Sequence, residues 1–258
     1  MVQFGVQGQF VGQMAGHYGL NEIYAHIYAS MFLFNMSLIA IAMLFYYYRS
    51  SIIKVQGIWN GIFYTGLIGL GETLEHFSGV TIGSMFHYLH LISAPIALLF
   101  YYHGIKEIFE KKDKPRRFSR NQVVFLTFLF FGIVLVSVAI LSQFSHTIWD
   151  FHVEEPFIIF TAIPTLVLVG MVIEKSKVIT ESTILLTSLR IVTVGVCVLT
   201  LSILIGRQAD INKWANIYIM AHQTQNIFHI IIGTALVILV LTLSQVEKIL
   251  DTIKHETS

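Results

Sequence analysis

Seven runs of about 20 predominantly apolar residues, broken by short polar connections, set the pattern of the chain: 25–48, 57–77, 84–104, 122–144, 156–174, 182–205 and 216–243. A run of that length crosses the ~30 Å hydrocarbon layer of a bilayer when it is α-helical. The pattern therefore predicts an all-α integral membrane protein, a seven-transmembrane-helix bundle forming one polytopic domain over residues 1–258. Only GIKEIFEKKDKPRRFSRN has the look of a solvated loop, and no linker is long enough to divide domains. Residues 1–24 lack the basic start and compact apolar core of a signal peptide, so they read as an external segment, and residues 245–258 as a cytoplasmic tail.

Basic residues are retained on the cytoplasmic side of a membrane, and here they fall on alternate connections. Arg49 and Lys54 follow the first run. Lys106, Lys111, Lys112, Lys114, Arg116, Arg117 and Arg120 follow the third, Lys175 and Lys177 the fifth, and Lys248 and Lys254 the last. The opposite connections hold only Arg207 and Lys213. This places the N-terminus outside and the C-terminus in the cytoplasm of a multi-pass cell-membrane protein.

With that topology, His17, His26, His76, His87, His90, His146, His152, His222 and His229 belong to the external end, and only His103 and His255 to the cytoplasmic end. Residues three, four or seven apart share a helical face. Glu72, Glu75 and His76 thus form one stripe on the second helix, and His87 and His90 lie a turn apart on the third. On the seventh, His222, Gln225, Asn226 and His229 align over two turns. At ~1.5 Å per residue, Glu72, His90 and His229 lie deepest, about 8–15 Å below the outer boundary.

Ionisable groups at such depth are costly unless paired or metal-bound, and they mark functional sites. Histidine with carboxylate and no usable thiolate suits Zn, Fe, Cu or Mn. The metal candidates are His76, His87, His90, His222 and His229, with Glu72 as a further ligand or catalytic general base. Glu75, Asp150, His146, Gln225 and Asn226 are candidates for orienting the ligands from behind. The substrate expected is a lipid or small apolar molecule reaching an outward-facing site through the bilayer, for hydrolysis or oxidation.

Other residues have plainer readings. His17, His26, His146 and His152 suit a solvated interface, and Glu154 and Glu155 suit a helix N-terminus ahead of Pro156. Arg190 can snorkel to the cytoplasmic interface, the aromatics near FYYY and FYYH form an interfacial belt, and Pro95 and Pro164 kink their helices. Cys197, the single cysteine, reads as a small core residue and excludes an intrachain disulfide. Gly61, Gly66, Gly69 and Gly71 either allow close helix contact or leave room for a flat cofactor.

The placement of polar residues is similar to that in the seven-helix membrane hydrolases that include alkaline ceramidases and adiponectin receptors. There, Ser-x-x-x-His on helix 2, Asp on helix 3 and His-x-x-x-His on helix 7 hold one zinc. This chain has Glu72-x-x-x-His76, His87 or His90, and His222 and His229 seven apart. The resemblance is one of architecture, and it implies a zinc site at the outer end.

Two alternatives stand beside the enzyme. A b-type cytochrome would ligate haem b between His90 and His229, with Gly233 and the helix-2 glycines admitting the porphyrin and Arg207 meeting its propionates. The chain would then be suited to partner membrane subunits in an oxidoreductase assembly. A metal or proton transporter would need the polar path to continue inward, where the helices are nearly uncharged. A retinal protein is excluded because helix 7 has no lysine, and a net charge of +1 offers no footprint for nucleic acid.

Overall fold

The computed structural model describes residues 9–47, 56–77, 80–109, 154–177, 183–212 and 214–256, and all of its regular structure is helical. The helices are α1 (Gln9–Tyr47), α2 (Gln56–Phe77), α3 (Val80–Phe109), α4 (Glu154–Ser176), α5 (Thr183–Ile211) and α6 (Ala215–Glu256). Five contain stretches long and apolar enough to cross a membrane: Tyr24–Tyr47, Phe86–Lys106, Ile158–Ser176, Ile184–Ala209 and Ala215–Leu243. These match the expected runs to within a few residues. The expected run over 122–144 lies outside the described residues.

Each helix packs on its chain neighbours, and α6 returns to α1, so the six close into a ring. Outward faces are apolar. Ile159, Phe160, Ile163 and Val167 of α4, and Ile227, Ile230 and Ile238 of α6, are all exposed. In water such faces would be a large unfavourable patch, but hydrocarbon solvates them. The protein is a multi-pass bundle embedded in a lipid bilayer.

α2 contributes none of those five stretches, and nearly all of it is buried. Its glycines explain how it fits. At 100° per residue, Gly57, Gly61 and Gly71 share one face and Gly66 lies on the opposite one. On the first face α3 comes to backbone contact: a Cβ at Gly57 would collide with Gly104, one at Gly61 would lie 2.6 Å from the Tyr101 ring, and one at Gly71 would lie 2.8 Å from His90 Cβ. On the other side α1 fills the space, with Ser37 Cβ 2.9 Å from such a Cβ at Gly66 and the Ser30 carbonyl 2.5 Å from one at Gly69. Interhelical hydrogen bonds lock both contacts, Thr65 to Tyr101 and Ser30 to Thr73, each at 2.9 Å. Close contact is therefore what these glycines serve.

Other buried serine and threonine hydroxyls donate back to carbonyls three or four residues earlier, as for Ser93 on Leu89 and Thr193 on Leu189. This satisfies them within their own helix. Pro95 and Pro164 lie inside α3 and α4 as expected. Arg190 reaches Ser176 Oγ at 3.4 Å, at the end of the bundle away from the glutamates.

Candidate metal centre

The C-terminal end of α2, the N-terminal part of α3 and the N-terminal parts of the apolar stretches of α1 and α6 meet at one end of the bundle. There the titratable residues separate into two groups, His26–Glu72–His229 and Glu75–His87–His90. Within each, one nitrogen or oxygen ligand atom per residue lies within 4.8 Å of the others.

The first group is fully buried. Glu72 Oε2 lies 2.8 Å from His229 Nε2 and 3.5 Å from His26 Nε2. Neither Glu72 Oε2 nor either ring nitrogen of His229 has a hydrogen-bond partner among the described residues, so the atoms converge without being aligned to share a proton. The rings of His76 and His222 stand 5.0 and 5.6 Å from that of His26, centroid to centroid.

Hydrogen bonds behind the rings fix the protonation pattern. A carbonyl only accepts, so a ring nitrogen facing one carries the proton, and its partner nitrogen carries the lone pair. His76 Nδ1 donates to the Glu72 carbonyl at 2.6 Å, and His222 Nδ1 to the Tyr218 carbonyl at 3.0 Å. His26 Nδ1 donates to Asn226 Oδ1 at 2.5 Å. Three imidazoles thus have Nε2 as the lone-pair nitrogen, two set by their own helix backbone and one by a side chain. This is the arrangement by which outer partners prepare imidazoles for a metal.

In the second group Glu75 accepts a hydrogen bond from His87 Nδ1 at 3.0 Å, and its other oxygen lies 3.4 Å from His90 Nδ1. The His87 and His90 rings meet edge to face, 4.9 Å apart. His90 is buried, and neither of its ring nitrogens has a hydrogen-bond partner among the described residues. A closed cavity of about 10 Å³ adjoins His90, lined by Thr161, Thr200 and apolar side chains, which is room for about one water molecule.

The structure brings together Glu72, Glu75, His76, His87, His90, His222, His229 and Asn226, and it buries Gln225 beside them. Asp150, His146 and His152, and the side chain of His17, lie outside the described residues. Two placements depart from the sequence reading. His26 is not an interfacial residue but is 2% exposed at the hub of the first group. Its signal was present: His26, Ser30 and Ser37 lie at helical spacing on α1, and all three are buried. Further, Glu72 and Glu75 do not act as one stripe. Three residues turn a helix about 60° short of a full turn, so Glu72 faces α1 and α6 while Glu75 faces α3.

No protein-family model, no curated protein and no solved structure matches the chain.

Proposed function

We propose that this protein is a membrane-embedded metalloenzyme. Its centre is held by His26, His229 and Glu72, with His76 and His222 beside it, and it acts on a lipid or small apolar substrate that arrives from the bilayer. The observation that carries the reading is the convergence of three buried ligand atoms, with Glu72 Oε2 2.8 Å from His229 Nε2 and 3.5 Å from His26 Nε2, the nitrogen that His26 leaves unprotonated. A proton satisfies one pair of such atoms at a time, whereas a divalent cation satisfies His26 Nε2, His229 Nε2 and Glu72 Oε2 together. Ionisable groups at membrane depth are costly, so they are kept where they pair with one another or bind an ion.

Two histidines and one glutamate form a donor set used by zinc to activate water and by non-haem iron to bind oxygen. Both chemistries need an open coordination position. Glu72 acts as a ligand, since one carboxylate oxygen lies near both imidazoles. The centre is assigned to the external side from the basic residues of the opposite connections.

The packing favours this reading over a haem. The sites read as porphyrin slots, at Gly61, Gly66, Gly69, Gly71 and Gly233, are filled by neighbouring helices, with Phe32 and Met36 against Gly233. His90 and His229 also fall in different groups. The test is elemental analysis of the detergent-purified protein with a reduced-minus-oxidised optical spectrum. Zinc, iron or copper retained near one or two per chain without a haem band is expected, and its loss in His229→Ala places the site. A b-type α-band, or a protein that neither retains nor takes up metal, overturns the proposal.

A further inference from the structure

We infer that Glu75, His87 and His90 form a second metal site beside the first, so that the protein carries a two-metal centre filled in a fixed order. This rests on the reading of the first group as a metal site and extends it.

The second group has its own buried ligand that lies near a carboxylate without a hydrogen bond to it. His90 is 3% exposed, and both of its ring nitrogens lack hydrogen-bond partners among the described residues. Its position is fixed by the helix packing and not by a polar partner, because α3 lies on the α2 backbone at Gly71, where any Cβ would strike His90. The ring therefore sits over the turn of α2 that carries both glutamates, with Nδ1 3.4 Å from Glu75 Oε2. Glu72 and Glu75 are separated by about 4.5 Å of rise along the helix. That scale suits two ions bound to one substrate, where one would activate an attacking water and the other would stabilise the leaving oxygen.

The order of filling follows from the hydrogen bonds. In the first group the proton of His26 sits behind its ring, on Nδ1 against Asn226, and Nε2 faces Glu72 with its lone pair. In the second, His87 spends Nδ1 on Glu75 itself. A metal entering there must break that bond and move the proton to Nε2 or release it. The second site is therefore the weaker one, and it fills after the first.

The experiment is a titration of the full-length, metal-stripped protein in lipid nanodiscs with Co2+, followed by calorimetry and by the visible ligand-field bands. Two equivalents are expected, the second binding at least ~10-fold more weakly. Glu75→Gln and His87→Ala should each abolish the second and leave the first. His87 is the more exposed of the two, so its variant serves if Glu75→Gln does not fold. One equivalent in the wild type, unchanged in His87→Ala, overturns the second site and leaves the first standing. No binding in the wild type overturns both, and two equivalents of equal affinity overturn the order.

Discussion

His229 Nε2 stands 2.8 Å from Glu72 Oε2 with both side chains sealed from solvent, yet the two are not aligned as a hydrogen-bonded pair. In a core built for stability alone, such a pair would relax into alignment or be replaced by apolar residues, since a desolvated carboxylate costs several kcal/mol. Here both atoms lie within 4.8 Å of a third ligand atom, on His26, in a group that could hold a cation, and the helices that carry it pack closely at glycines.

Glu72→Gln separates these roles. It removes the charge but keeps the volume, so the metal-free protein should melt at the same temperature or higher. The metal-dependent stabilisation should vanish; for a site filled at 100 times its Kd this is about 2.7 kcal/mol. Thermal melts of stripped and reloaded protein check this. A stripped variant that melts well below the stripped wild type, and that still binds metal on reloading, would make Glu72 a structural residue.

Asn226→Ala removes the acceptor behind His26 without touching a ligand atom. The imidazole is then free to rotate and to change tautomer, and loss of an outer partner of this kind lowers metal affinity ~10–100-fold. Competition with a chromophoric chelator measures it. Affinity within about twofold of wild type would show that the 2.5 Å contact does not orient His26.

How far the sequence leads differs from one feature to the next. The apolar runs located the described spans to within a few residues, because bilayer thickness dictates their length. Glu72, His76 and His229 were legible because polar residues in an apolar run have few explanations. His26 was misread: a histidine near the end of an apolar run also suits a solvated interface, and its helical spacing to Ser30 and Ser37 gains meaning only from the packing of α1 between α2 and α6, which buries all three. The division of Glu72 from Glu75 likewise depends on which helices flank α2, which periodicity does not specify.

Gly71→Ala should weaken metal binding although residue 71 carries no ligand. The added methyl lies 2.8 Å from His90 Cβ and 2.9 Å from the Phe86 carbonyl, so α3 must move off α2 and carry His87 and His90 with it. Overpacking of this kind costs about 1–3 kcal/mol. Gly170→Ala is the control, because a Cβ there meets nothing within 4 Å. Loss of Co2+ binding in the first variant only is expected; equal behaviour of the two would detach the glycine packing from the site.

The side of the membrane on which the centre lies can be read with two cysteines in a Cys197→Ala background. Lys106 lies at the end of the α3 span away from the histidines, and Trp214, 54% exposed, precedes α6 at the histidine end. Basic residues cluster with Lys106, in the connections after the first, third and fifth apolar runs and in the C-terminal tail, and such residues are held in the cytoplasm during insertion. In intact cells, a membrane-impermeant maleimide should label Trp214→Cys and leave Lys106→Cys untouched until the cells are lysed. The reverse pattern would invert the protein and place the metal centre on the cytoplasmic side, where it would draw on the intracellular metal pool and meet substrates of the inner leaflet.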